Sequence, residues 1–475
     1  MSILPRAMFF VFLFFIDLFS VTLSGLFAFW IRNNILFYLP HIDFSGKEIL
    51  MFFAGVLVII FSFIYTGLYV KRLPFWEESR EIFVANLLGF LIILALIALM
   101  KFSHISRFFV LIWCLVNILI VPIVRYWGKR LAILLGLYRD NLLIIGVNDI
   151  SLRAAKMILK ESTMGYRLAG FLDNDYGCKY VEIYDKAFRV AKGISGFQRI
   201  ASVLGVNTIM IALPDILEEQ VVDLVNKIHM SSHKILFVPG IKGVALLNAE
   251  IIPPFMDSLL LVHLKNNLMY LRSKLFKRFI DILLSFIAII VLAPIYLIIG
   301  ISVKLTSEGP IIYKQKRLGH KGRVFYVYKF RTMYADAERI LQNLLNSSES
   351  MKKEWENTHK LAKDPRITPL GKFLRRTSLD ELPQFFNVLK GDMSLVGPRP
   401  VTQDEINRHY KEDADYYFMV RPGITGLWQV SGRSDTDYKF RVETDVWYVL
   451  NWSPWLDLMI LAKTVWVVLR GKGAY

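Results

Sequence analysis

The sequence predicts a three-part membrane protein: a bundle of four spanning helices, a cytoplasmic Rossmann-like α/β domain, and a mixed α/β domain joined to the bilayer by a re-entrant helical hairpin. Three observations carry the prediction. Four apolar runs, each near the ~20 residues that a spanning helix needs, fill residues 1–130. Strand and helix patterns alternate over residues 140–250, as in a parallel α/β unit. Residues 274–304 hold an apolar segment broken by Pro294 and flanked on both sides by positive charge. The remainder, 305–475, is more polar and rich in Gly and Pro.

Composition agrees. The 475 residues are 55% hydrophobic, with a mean hydropathy of +0.43 and a net charge of +17. That is too apolar for an ordinary soluble protein. The basic excess suits anionic lipid or phosphorylated substrates better than nucleic acid, for which no known module is present. Cys114 and Cys178 are too few for a disulfide framework or a cysteine metal site.

The apolar runs are Met8–Ile31, Ile49–Val70, Ile82–Met100 and Phe108–Val124. The first is too long for a signal peptide and is expected to remain as an anchor. Lys71, Arg72 and Arg80 follow the second run, and Arg125, Lys129, Arg130 and Arg139 follow the fourth, whereas the loop Lys101–Arg107 is lightly charged. The positive-inside rule then puts both ends of the bundle in the cytoplasm. Asp17 lies mid-run, where a carboxylate is costly, and is expected to face another helix in a structural role.

In the α/β region, Asn141–Gly146 reads as a buried strand and Ala154–Leu159 as helix. Val206–Leu213 and Lys234–Val238 read as further strands around an amphipathic stretch, Ile216–His229. The turn after Gly146 lacks the second and third glycines of a dinucleotide fingerprint, so a regulatory or packing role is expected. His229 and His233 have no third ligand near in sequence. After it, Ile282–Val303 is long enough to span, but basic residues on both flanks favour a hairpin that enters and leaves from one side, against a proline-kinked spanning helix. Ser347–Glu356 reads as a solvated helical face. Leu456–Leu469, among Trp447, Trp452, Trp455 and Trp466, is either a helix lying in the membrane interface or a core helix.

Asp380 and Glu381 are adjacent, preceded by Arg375 and Arg376 and followed by Pro383. Ser378 and Glu381 have capping-box spacing, which predicts a helix starting near Asp380 and gives a purely structural reading. The same geometry would form an anion site, with one carboxylate meeting phosphorus and the other a metal. Around this pair lie Lys329–Met333, Asp364–Thr368, Val396–Pro400 and Gly423–Val430, short motifs that mix basic residues with Gly or Pro.

Taken together and in this order, these motifs resemble the bacterial sugar transferases, the polyisoprenyl-phosphate hexose-1-phosphate transferases, over about Leu275–Tyr475. The resemblance implies transfer of a sugar 1-phosphate from a UDP-sugar to undecaprenyl phosphate with Mg²⁺, through a covalent intermediate. It makes 305–475 the catalytic domain, Asp380 the nucleophile and Glu381 the metal ligand. Arg375 and Arg399 take phosphate-binding positions, with Arg331 and Arg366 as further candidates. Lys277, Arg278, Asp281 and Pro294 match the motif where the chain enters the membrane, although the usual serine before the proline is Ala293 here. Asp445 and Asp364 are additional candidate acids. The implied setting is a multi-pass protein of the bacterial inner membrane with its catalytic domain in the cytoplasm, priming O-antigen, capsule or exopolysaccharide synthesis. UDP-galactose is the expected donor and UDP-glucose the alternative. A homodimer is expected from the additional domains. The rivals are direct attack by lipid phosphate, with Asp380 only a metal ligand, and a non-catalytic membrane scaffold.

Overall fold

The computed structural model describes residues 3–36, 46–100, 106–193, 197–213, 228, 234–238, 250–252, 261–263, 267–334, 336–347, 364–431 and 437–470. Most of Ile216–His229, His233 and most of Ser347–Glu356 lie outside them, so the expectations made there are not taken further. The chain divides into two compact units, Met1–Lys242 and Gly243–Tyr475.

The first unit begins with α1 (Ile3–Trp30), α2 (Gly46–Tyr65), α3 (Phe75–Leu99) and α4 (Arg107–Leu134). All four are long and apolar enough to cross a membrane. Their outward faces carry exposed Phe15, Phe19, Leu57, Phe61, Leu91 and Leu119, which suits lipid as solvent. Their inward faces include a polar core. Asp17 is fully buried and pairs with Arg125 of α4, whose Nε reaches Glu78 at 2.8 Å while Lys129 reaches the same carboxylate at 2.6 Å. Two acids and two bases therefore neutralise each other, as buried charges must. This corrects the reading of Arg125 and Lys129 as loop charges. Helix α4 continues past Val124 and buries both, so the charge bias between the bundle's two sides rests on Lys71, Arg72, Arg80, Arg130 and Arg139. Next, Ser24, Asn117 and Asn86 form a hydrogen-bonded chain between α1, α4 and α3.

The α/β part contains β1 (Asp140–Ile145), α5 (Asp149–Lys160), β2 (Tyr166–Leu172), β3 (Tyr180–Ile183), β4 (Lys186–Ala191), α6 (Phe197–Val203), β5 (Thr208–Ile211) and β6 (Lys234–Phe237). They form one sheet in the order β3-β4-β2-β1-β5-β6, in which only the β3–β4 hairpin is antiparallel. The central β1 is buried on both faces, which is why it reads as an unbroken apolar run. Strands β2 to β4 were not anticipated, because Arg167, Lys186 and Arg189 interrupt their apolar pattern.

The second unit begins with the short pair β7 (Glu250–Ile252) and β8 (Leu261–His263). Helices α7 (Leu271–Val291) and α8 (Ala293–Thr306) follow and meet at a 63° bend. Pro294 lies in the first turn of α8 and has no N–H to offer Ile290, whose carbonyl is instead met by the Leu292 N–H. The bend thus needs no serine. Exposed Phe279, Phe286, Ile290, Val291, Leu297 and Ile298 surround it.

The polar ends of α7 turn inward. Lys277 reaches the Val396 carbonyl, the Tyr448 hydroxyl and Asp457; Arg278 reaches the carbonyls of Val388 and Leu389; and Asp281 accepts from Ser394 Oγ and Leu395 N. From α8, the Tyr296 hydroxyl donates to the Leu382 carbonyl at 2.6 Å. The helix pair is therefore bolted to the rest of this unit through the segment that carries Asp380.

Beyond it come β9 (Ile312–Leu318) and β10 (Val324–Phe330), an antiparallel hairpin, then α9 (Pro369–Thr377) and α10 (Gln384–Lys390). The parallel pair β11 (Ser394–Val396) and β12 (Gly423–Thr425) precedes α11 (Tyr438–Asn451) and α12 (Pro454–Arg470). The last helix has a core face and an exposed apolar face. Leu456, Ile460 and the preceding Trp452 are core, whereas Leu458, Val465 and Trp466 are exposed.

Candidate active site

The expected helix start at Asp380 is not found. Ser378 sits at φ 58°, closing α9 in the left-handed region, and its side chain caps nothing. Leu379–Glu381 is a single 3₁₀ turn and α10 begins only at Gln384, behind Pro383. The capping box is thus not formed, and a seven-residue helix offers no anion site of its own. The tight turn does something else. It sends the adjacent carboxylates apart, leaving Asp380 8% exposed and Glu381 on the wall of a cleft.

That cleft is small and open to solvent, and it draws its walls from four places. The hairpin β9–β10 supplies Gln315, Arg317 and Lys329, the α10 segment supplies Glu381 and Gln384, and the loop after β11 supplies Arg399. Strand β12 closes it with Gly423 and Ile424. The motifs Val396–Pro400 and Gly423–Val430 meet here backbone to backbone. Gly397 N–H donates to the Thr425 carbonyl at 2.9 Å and Gly423 N–H to Pro398 at 2.8 Å. A Cβ on Gly423 would collide with the Gly397 backbone, so the glycines serve close approach rather than unusual dihedrals.

The charges are unevenly spread. Arg317, Lys329 and Arg399 oppose Glu381 in the cleft lining, an excess of two positive charges that suits a diphosphate. Lys329 Nζ lies 2.6 Å from Glu381 Oε1. Burial pushes the Asp380 carboxyl up to about 6; Lys329 and Arg375 oppose the rise and Glu381 adds to it. Asp380 is therefore mostly ionised at neutral pH yet poorly solvated, the condition that favours reactivity in a carboxylate.

The other predicted residues divide into two groups. Arg375 is near Asp380, and its Nε donates to Thr332 at 2.9 Å; Arg399 is on the cleft. Arg331 instead turns to Ser307, and Arg366 is held in a two-point pair by Asp364, at 2.8 and 2.7 Å. Asp445 lies away from the cleft lining. It is buried, accepts from the Tyr410 hydroxyl at 2.6 Å, and is pushed up to about 6 by burial, with Tyr410 and Arg441 opposing. Lys277, Arg278 and Asp281 bind protein backbone, as described above. Three polar cleft residues were not singled out beforehand: Gln384, Arg317 and Gln315. Arg317 and Gln315 alternate along an exposed strand rich in lysine, and only the pairing of β9 with β10 turns that face inward.

Among the described residues no group of three or more His, Cys, Asp or Glu could hold a metal ion. A hard ion that keeps water and takes phosphate oxygens needs only one or two carboxylates. Glu381 offers one such oxygen donor on the cleft, so the donor set fits Mg²⁺ if the ion shares that carboxylate with Lys329.

In the α/β domain, four amides of the turn after Gly146 are taken internally. Val147 N–H donates to Asp173, Asn148 N–H to Ser151 Oγ, and the Ile150 and Ser151 amides to Asn148 Oδ1.

A family model described as "Bacterial sugar transferase" matches residues 272–471, and one described as "CoA-binding domain" matches 64–239. Undecaprenyl-phosphate galactose phosphotransferase of Salmonella typhimurium is 38% identical over 451 residues, covering 94% of this chain and 93% of that one. UDP-galactose-lipid carrier transferase of Erwinia amylovora is 36% identical over 409 residues, 86% of this chain and 84% of the relative. UDP-glucose:undecaprenyl-phosphate glucose-1-phosphate transferase of Klebsiella pneumoniae is 34% identical over 334 residues, 66% and 65% of the two chains. With nearly the whole chain aligned, the protein belongs to the bacterial sugar transferase family.

Proposed function

We propose that this protein transfers a hexose 1-phosphate from a UDP-sugar to undecaprenyl phosphate, releasing UMP, as the priming step of a bacterial surface polysaccharide. The observation that carries the reading is Asp380: a buried, ionised carboxylate beside Lys329 and Arg375, next to a cationic cleft, on a segment bolted to a bent pair of apolar helices. Galactose is the preferred sugar because the relative that aligns over nearly the whole chain is named for it; glucose, named for the Klebsiella relative, is the alternative.

Asp380 attacks the sugar-bearing phosphorus. The bond to the bridging oxygen breaks, and UMP leaves with that oxygen. The lipid phosphate then attacks the acyl phosphate and regenerates the carboxylate, so one diphosphate is broken and another made. Arg317, Lys329, Arg375 and Arg399 balance the charge gathered on phosphate oxygens, which is most of what phosphoryl transfer asks of a protein. Glu381 would hold Mg²⁺, which when bound supplies further neutralisation of the diphosphate.

The 63° bend, the exposed apolar side chains around it and the basic flanks support a re-entrant hairpin that enters and leaves from the cytoplasmic face of the inner membrane. The parallel order β4-β2-β1-β5-β6 supports a Rossmann-like middle domain. Homodimerisation belongs to the reading on the strength of the additional domains alone.

Incubating the purified protein with a panel of UDP-sugars and undecaprenyl phosphate should release UMP with one hexose in strong preference. Labelled UMP should exchange into that UDP-sugar without lipid, which direct attack by lipid phosphate does not allow. A non-catalytic scaffold would release no UMP. A tag at the C-terminus should stay shielded from an impermeant reagent in intact cells; labelling there would refute the re-entrant hairpin.

A further inference from the structure

Helix α10 carries two buried amides three residues apart, and they behave differently. Asn387 is fully used: its Nδ2 donates to the Tyr326 carbonyl at 2.7 Å and its Oδ1 accepts from Tyr328 N at 2.9 Å. It locks the helix to β10. Gln384 is only 3% exposed, yet its carboxamide makes no hydrogen bond with any described residue. It lines the cleft together with Glu381, Lys329 and Arg399, one turn along the chain from Asp380. Its polar atoms are not shut away from solvent but open onto the cleft, so packing fixes the side chain while its hydrogen-bonding capacity stays available to a bound molecule.

We propose that Gln384 is a further catalytic residue, whose carboxamide N–H donates to a non-bridging oxygen of the phosphoryl group that Asp380 takes. The inference rests on the phosphotransferase reading above. Its physical ground is the charge pattern. Arg317, Lys329 and Arg399 already supply cations to the cleft, and Lys329 pairs with Glu381. A further cation at position 384 would pair with the carboxylates and blunt the nucleophile. A neutral amide donates to developing negative charge without neutralising Asp380, and being held in place beforehand by the packing of its helix it needs little reorganisation at the moment of transfer.

The test is single-turnover UMP release by full-length protein in lipid nanodiscs, using the UDP-sugar and both diastereomers of its analogue with sulfur replacing a non-bridging oxygen on the sugar-bearing phosphorus. Gln384→Met should slow release about 100-fold, as loss of one such donor does, while KM for the UDP-sugar stays near the wild-type value. It should also collapse the penalty that wild-type protein shows for one diastereomer. A purely structural role would lower the rate and leave both sulfur penalties intact, and that result, or an unchanged rate, overturns the inference. Gln384→Glu is isosteric and lacks the donor, and it carries the same measurement should the methionine variant fail to fold. Wild-type protein that releases no UMP overturns the parent reading and this inference with it. Wild-type release alongside an unaffected variant overturns this inference alone.

Discussion

Asp380→Asn is expected to abolish turnover and, at the same time, to make the fold more stable. In the folded chain burial lifts this carboxyl from 3.8 to about 6, so holding it ionised at pH 7 costs about 3 kcal/mol at 1.36 kcal/mol per pH unit. Asparagine removes that cost. That figure is already net of the attraction of Lys329 and Arg375, and with some of it lost to fitting the asparagine amide into the site, about 1–3 kcal/mol should remain. For a unit of this size that is several degrees of melting temperature, at about 2–4 °C per kcal/mol. The sign follows from linkage. The folded state binds the proton more tightly than the unfolded one, so the penalty is greatest above pH 6, falls to about half by pH 5, and vanishes below the unfolded value near 4. Thermal unfolding of wild type and variant in nanodiscs at pH 7.5 and pH 5, paired with single-turnover UMP release, tests both halves. A destabilised variant, or one that still releases UMP in a burst, would refute the reasoning.

Three further outcomes are expected. The UMP burst measured without lipid phosphate should lose its rate as pH falls through about 6, because the ionised form of Asp380 reacts. Lys329→Met should move that midpoint upward by about 1–2 pH units, the usual effect of losing a close opposite charge, and an unmoved midpoint would show that Lys329 does not govern Asp380. In the membrane bundle, Asp17→Ala leaves Arg125 and Lys129 to share Glu78 alone, a net buried positive charge, and should cost about 3–5 kcal/mol, whereas Asp17→Leu with Arg125→Met should cost less than the two single changes added together; additive melting shifts would contradict the pairing. Gly423→Ala forces a methyl group against the Gly397 backbone and should cost about 1–3 kcal/mol, lowering UDP-sugar affinity as the cleft wall shifts; an unchanged melting temperature would mean the two motifs pack less closely than described.

Composition and periodicity were sufficient for the membrane helices, because spanning a bilayer demands length and apolarity, both one-dimensional properties. They were sufficient for β1 as well, since a strand buried on both faces is apolar at every residue. The carboxylate pair and the glycine, proline and arginine motifs were equally legible, being chemically unusual in a small space. Partnership was not. Arg125 and Lys129 read as loop charges until α4 ran on past Val124 and Asp17 and Glu78 met them from other helices. Ser378 and Glu381 had the spacing of a cap, but a left-handed residue and a 3₁₀ turn separated Asp380 from Glu381 instead. Arg317, Lys329 and Gln384 gained a common cleft only when β9 paired with β10 beside α10. The reason is physical: apolarity and turn preference belong to residues taken one at a time, whereas burial of a charge, its partner and its proton affinity belong to pairs that the chain brings together from far apart.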